Sequence, residues 1–169
     1  TAKIWSARET KLLIELKGHT GRVNSAVFSP DGTTIITAAN DSTARIWDVS
    51  NGKLLFVLKD PSDFVNSANY SPDGRHILTT SWDSTARIWN ADDGKLLMHL
   101  GRHNNAVNSA IYSPDGYQIV TTSRDSTAKI WNAADGKLLI ELKGHSNWVN
   151  SAAYSPDGKF LATASFDNT

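Results

Sequence analysis

Apolar and polar residues alternate with a period of two along most of the chain, and clusters of Gly, Pro, Asn, Asp and Ser break the alternation about every ten residues. This pattern predicts short antiparallel strands joined by tight turns. In one stretch the predicted strands are Val23 to Phe28, Thr34 to Ala39, Thr43 to Asp48 and Lys53 to Leu58. Ser29-Pro30-Asp31-Gly32 turns the first strand back, because Pro30 pre-sets φ for the second turn position and Gly32 carries no side chain to restrict the fourth. Asn40-Asp41-Ser42 and Ser50-Asn51-Gly52 make the other two turns, so the four strands form a meander.

The pattern returns every 42 residues. Thr1-Ala2-Lys3-Ile4-Trp5 recurs as Thr43 to Trp47, Thr85 to Trp89 and Thr127 to Trp131, and Val23-Asn24-Ser25-Ala26 recurs in phase with it. The repeats span 1–42, 43–84, 85–126 and 127–168, and the third and fourth agree at 26 of 42 positions, which points to recent amplification or design. Thr169 falls at the phase of Thr1. The turn glycine Gly52 recurs as Gly94 and Gly136 but is Thr10 in the first repeat, where a different local turn is expected. A lone four-stranded sheet has two apolar faces and cannot bury both, so each repeat must stack on its neighbours, and radial stacking is the stable solution. The expected fold class is all-β, a β-propeller of four-stranded antiparallel blades forming one unit across residues 1–169.

Gly18-His19 before the first strand, Asp41 in the tight turn and Ile46-Trp47-Asp48 on the third strand resemble the WD-repeat family, and the resemblance covers the whole chain. It implies a hydrogen-bonded His, Thr, Asp and Trp network in each blade. The matching residues are His19, Thr37, Asp41 and Trp47; then Thr79, Asp83 and Trp89; then His103, Thr121, Asp125 and Trp131. The last set is His145, Thr163 and Asp167, and the Trp in phase with it is Trp5 at the other end of the chain. Two residues depart from the pattern. Pro61 stands where the second His belongs, which predicts a set satisfied by water or weaker by about 1 kcal/mol. Arg102, not Gly, precedes His103.

Thr, His and Asp together can also activate a hydroxyl nucleophile. A catalytic set would be confined to one copy beside a cleft, whereas this one recurs through the repeats with an indole donor attached, so it reads as a scaffold and no enzyme activity is expected. His19, His103 and His145 lie in different blades and cannot converge on a metal, and no cofactor is expected. His76 and His99 read as partly exposed strand residues, and Asn40-Asp41-Ser42 as an accidental glycosylation match.

Seventeen basic residues balance seventeen acidic ones, so no net field draws the chain to nucleic acid or an anionic membrane. The absence of cysteine removes disulfides, thiolate metal sites and cysteine nucleophiles. No apolar run suits a membrane helix and no secretory signal pattern is present, so a cytoplasmic location is expected.

The chain starts on the third strand of a blade and stops after the second strand of another, so one blade is split, with residues 1 to 17 expected to pair with residues 148 to 167. Pairing within one molecule would give a four-bladed ring turning by about 90° per blade, and exchange between two molecules an eight-bladed ring at about 45°. The exchanged, eight-bladed homodimer is the expectation, with Trp5 of one copy completing the His145, Thr163 and Asp167 set of the other. The repeated Asn24, Asn66, Asn108 and Asn150 are expected to ring the channel.

Two columns vary among otherwise similar repeats: Asn40, Trp82, Arg124 and Phe166 before the turn Asp, and Arg22, Phe64, Ala106 and Trp148 before the first strand. By resemblance both lie on the face around the channel mouth where WD-repeat proteins hold peptides and partner proteins, and aromatics and Arg are typical anchors there. The leading expectation is a non-catalytic interaction scaffold that assembles with itself, either natural or made to test propeller assembly. The missing initiator Met and the phased ends favour the second origin. The alternative is a lectin-like propeller binding a small ligand or glycan in the channel or between blades.

Overall fold

A computed structural model describes residues 1–59 and 63–168 and contains sixteen strands among them. β1 (Ala2–Trp5) and β2 (Leu12–Leu16) form a two-stranded sheet. Three complete four-stranded meanders follow. The first blade is β3 (Val23–Phe28), β4 (Thr34–Ala39), β5 (Thr43–Asp48) and β6 (Leu54–Lys59). The second is β7 (Val65–Tyr70), β8 (His76–Ser81), β9 (Ala86–Asn90) and β10 (Leu96–His99). The third is β11 (Val107–Tyr112), β12 (Gln118–Ser123), β13 (Ala128–Asn132) and β14 (Leu138–Leu142). β15 (Val149–Tyr154) and β16 (Leu161–Ser165) end the chain as a second two-stranded sheet.

The predicted strands of the first blade match these limits except the fourth, which both starts and ends one residue later. Lys53 still belongs to the turn, its N–H bonded to Asn51 Oδ1 at 2.8 Å. Thr10 departs from expectation. It adopts φ 51°, alongside 72° at Gly52 and 70° at Gly94, and its N–H bonds the Ser6 carbonyl as that of Gly52 bonds Asp48. The turn is therefore the same one, with the Ser6 hydroxyl accepting the Glu9 N–H and Thr holding a left-handed conformation that glycine adopts more readily.

The core lies between sheets. Ile36, Ile46 and Leu58 of the first blade pack with Val65, Ala68 and Ile77 of the second, and Leu78 and Ile88 of the second with Ala110 and Ile119 of the third. Ile4 and Leu16 pack with Ile35 and Trp47 at one end, and Val120 and Ile130 with Ala152 and Leu161 at the other. Each sheet thus buries a face against the next, as radial stacking requires. The outer turns take part: a Cβ on Gly52 would stand 2.5 Å from Ile14 Cγ2, and one on Gly136 2.7 Å from Met98 Sδ.

One irregularity recurs in every first strand. The pairing register slips between Val23 and Ser25, Val65 and Ser67, Val107 and Ser109, and Val149 and Ser151, leaving Asn24, Asn66, Asn108 and Asn150 as bulge residues. A bulge re-aims its side chain out of the sheet's alternation. The amide of Asn24 accordingly donates to the Val65 carbonyl at 2.9 Å, Asn66 to Val107 at 2.7 Å and Asn108 to Val149 at 2.9 Å. The asparagine column is a set of latches from each blade to the next.

Candidate functional site

Each complete network is built where the second strand, the tight turn and the third strand meet the preceding loop. In the first blade Trp47 Nε1 donates to Thr37 Oγ1 at 2.9 Å, Thr37 Oγ1 lies 2.7 Å from His19 Nε2, and His19 Nδ1 lies 2.8 Å from Asp41 Oδ2. The third blade repeats this with Trp131, Thr121, His103 and Asp125 at 2.8, 2.7 and 2.8 Å. The direction of the chain follows from the acceptors. A carboxylate takes the Nδ1 proton, so Nε2 accepts from the Thr hydroxyl, which in turn accepts the indole N–H. Burial pushes the His19 and His103 imidazoles below their ordinary value against the opposing pull of Asp41 and Asp125, which favours this neutral form.

The aspartates also tie the loop and the turn. Asp41 accepts the Thr20 N–H and the Thr43 hydroxyl, and Asp125 the equivalent groups of Asn104 and Thr127. Burial by itself would raise the Asp41 and Asp125 carboxyls, but these hydrogen bonds and the neighbouring His outweigh it and bring both down to about 2. In the second blade Trp89 Nε1 donates to Thr79 Oγ1 at 2.8 Å. Pro61, where the sequence lacks the imidazole, lies outside the described residues. Asp83 is paired directly by Arg87 on β9. Burial raises Asp83 too, yet the hydrogen bonds of Arg87 and Thr85 and the guanidinium charge take it to about 2.

In the last set His145 Nδ1 lies 2.7 Å from Asp167 Oδ2 and His145 Nε2 lies 2.9 Å from Thr163 Oγ1, with no indole on Thr163 among the described residues. Trp5, the indole in phase, is 55% exposed, against 1%, 5% and 3% for Trp47, Trp89 and Trp131. No group of three His, Cys, Asp or Glu side chains among the described residues is placed to hold a metal.

The two variable columns are neighbours through the backbone: Asn40 N–H bonds the Arg22 carbonyl, Trp82 that of Phe64, Arg124 that of Ala106 and Phe166 that of Trp148. They also reach the latches. Asn24 donates to Asn40 Oδ1 at 2.7 Å, Trp82 Nε1 to Asn66 Oδ1 at 2.7 Å and Arg124 Nε to Asn108 Oδ1 at 3.3 Å. Ala106 is buried and offers no surface, while Arg22 is exposed. Five of the others, Phe64, Trp82, Arg124, Trp148 and Phe166, join into one ladder. Phe64 meets Trp82 edge-on with centroids 5.5 Å apart, and Trp148 meets Phe166 at 5.9 Å. Between the two pairs the Arg124 guanidinium lies 4.3 Å from the centre of the Trp82 ring and 4.5 Å from that of Trp148. Sequence reasoning placed these residues on one face but gave no sign that Arg124 fills the gap between two indoles.

At the opposite ends of the first strands, Thr34 bonds the Tyr70 hydroxyl at 2.9 Å across the first two blades. Between the second and third blades His76 occupies the Thr34 position, Tyr112 has no such bond among the described residues, and an open groove of about 650 Å³ lies between them.

Four segments, residues 10–48, 52–90, 94–132 and 136–169, match the family described as WD domain, G-beta repeat. The chain belongs to the WD40 repeat family. Each matched segment opens at the outer strand of one blade and closes on the third strand of the next, or, in the last case, with the end of the chain. A search of the curated proteins found no match. WD40 repeats generally serve as non-catalytic scaffolds for protein–protein interaction. Among the described residues no helix is long and apolar enough to cross a membrane.

Proposed function

We propose that the 169-residue chain is an interaction scaffold whose two half-blades are closed by a second copy of itself, giving a ring of eight WD40 blades with the ladder around Arg124 on its binding face. Two observations together carry this reading: Trp5 is exposed, and Thr163 at the other end of the chain has no indole bonded to it among the described residues. β1 and β16 each present an unpaired edge, and such edges template pairing. The register of the complete blades supports the fit: Ile35, Ile77 and Ile119 sit opposite Trp47, Trp89 and Trp131, so in the same register Leu161 would sit opposite the partner's Trp5. Asn150 would likewise latch onto Val23 of the second copy, as Asn108 latches onto Val149. Thr10, at the Gly136 position, would press on Ile140, which is 50% exposed.

Light scattering on a sizing column tests the closure. The expected mass is twice 18.4 kDa, unchanged on moderate dilution. Trp5→Ala should shift the chain toward 18.4 kDa at concentrations where the unaltered chain is paired. A single-chain mass for the unaltered protein, or a mass three-fold or more above one chain, would overturn the eight-blade count.

A further inference from the structure

Phe64, Trp82, Arg124, Trp148 and Phe166 occupy positions that differ from repeat to repeat, yet they pack into one ladder across neighbouring blades. Independent drift at separate positions gives no reason for the single cation of the ladder to fall between two indoles. Two indoles, with ring centres 4.3 and 4.5 Å from its Cζ, confine the guanidinium between them, and its polar capacity is in its N–H donors. One of those donors, Nε, is used by Asn108. Among the described residues no carboxylate pairs with the others.

The nearby acids are committed elsewhere. Asp125, next in the chain, holds His103, Asn104 and Thr127, and Asp63 accepts the Phe64 N–H with one oxygen. The flanking rings remain in contact with solvent: Trp82 is 39% exposed, Trp148 41% and Phe166 58%. A fixed, unpaired guanidinium fork bordered by exposed aromatic rings complements a carboxylate with an apolar side chain next to it.

We infer that this ladder is a docking site for an acidic peptide segment of a partner protein, in which a Glu or Asp carboxylate pairs with the terminal nitrogens of Arg124 and adjacent apolar side chains cover Trp82 and Trp148. The inference rests on the scaffold reading and names the chemistry of its partner. The guanidinium is already ordered by the indoles, so binding immobilises little that was free.

The test titrates the 169-residue chain into a fluorescein-labelled peptide alternating Glu with Leu, and into counterparts with Gln or Lys in place of Glu. Anisotropy and indole emission report binding, and light scattering on the same samples reports assembly. The Glu peptide is expected to bind saturably, to shift the indole emission, and to weaken with added salt. The Gln and Lys peptides should bind at least tenfold more weakly. Arg124→Gln should lose at least tenfold for the Glu peptide, and Arg124→Lys, which keeps the charge without the planar fork, several-fold; the second variant decides if the first fails to fold. Absence of saturable Glu-peptide binding, unchanged affinity in the folded Arg124 variants, or tighter binding of an oligothymidylate of equal length would overturn the inference. Preference for the Gln or Lys peptide would overturn the acidic partner and leave the scaffold standing. Loss of the paired mass with Glu-peptide binding intact would overturn the ring alone.

Discussion

The Thr121 hydroxyl serves an indole and an imidazole at once, and it is buried. Thr121→Val would leave Trp131 N–H and His103 Nε2 without their partner, a loss of about 2–3 kcal/mol. Thr79→Val strands the Trp89 indole, and Arg87 already satisfies Asp83, so about 1–2 kcal/mol is expected there. Urea unfolding of the two variants side by side checks the difference. Acid should act through the same groups in two stages. Burial holds the folded-state pKa of His19 and His103 below the ordinary imidazole value of 6.5, so the unfolded chain takes up those protons first. Their contribution is complete above pH 6.5 and is lost as the pH falls. Asp41, Asp83 and Asp125 follow between 3.8 and about 2, where the unfolded carboxyls protonate first. Urea midpoints should therefore decline below neutrality and fall further in the aspartate range; a rise in stability from pH 7 toward 5 would contradict the assignment of neutral imidazoles. At this scale the sequence was readable where residue type and spacing repeat, as for His, Thr, Asp and Trp. It was silent on Arg87, because Lys3, Arg45 and Lys129 occupy the same phase and nothing in the pattern distinguishes a cation reaching solvent from one turned onto Asp83.

Among elements, the turns within a blade show how closely one blade approaches the next. Gly116 and Gly136 both hold left-handed backbone, φ 77° and 69°, but a Cβ on Gly116 would lie 3.9 Å from Pro72 while one on Gly136 would lie 2.7 Å from Met98 Sδ. Gly116→Ala should cost the backbone strain, about 1 kcal/mol, and Gly136→Ala more, since Met98 must also move. Thermal unfolding of the pair separates strain from crowding. Strand order, turn positions and most strand limits were legible from alternation and turn residues. The asparagine bulge was not, because a one-residue slip leaves the apolar pattern of the strand almost unchanged, and its role emerges when the neighbouring carbonyl is in view. Thr10 shows the converse: glycine marks a left-handed turn position in three repeats, but the pairing of β1 with β2 holds the same turn without it.

For the molecule as a whole, the exposed Trp5 is a reporter. In the proposed ring a second copy covers this indole, so on dilution the emission of the chain should move to longer wavelength as Trp5 meets water, and Trp5→Phe should abolish the move without altering the emission of the buried indoles. The stacked, all-β architecture could be read from the period alone, since every repeat carries two apolar faces. The number of blades in a ring could not, because the turn per blade depends on side-chain volumes between sheets and on the bulges, neither of which the period encodes. Those bulges also give the array a direction: each asparagine reaches forward to the carbonyl of the following blade, and none reaches back among the complete blades. A joint with this polarity is head-to-tail, so in the proposed self-assembly each copy that joins would present again the end it had just covered. Such a joint has no intrinsic stopping point. What limits growth is geometric closure, and a population that misses closure would extend into filaments whose length follows concentration, with every added copy carrying another Arg124 along one side.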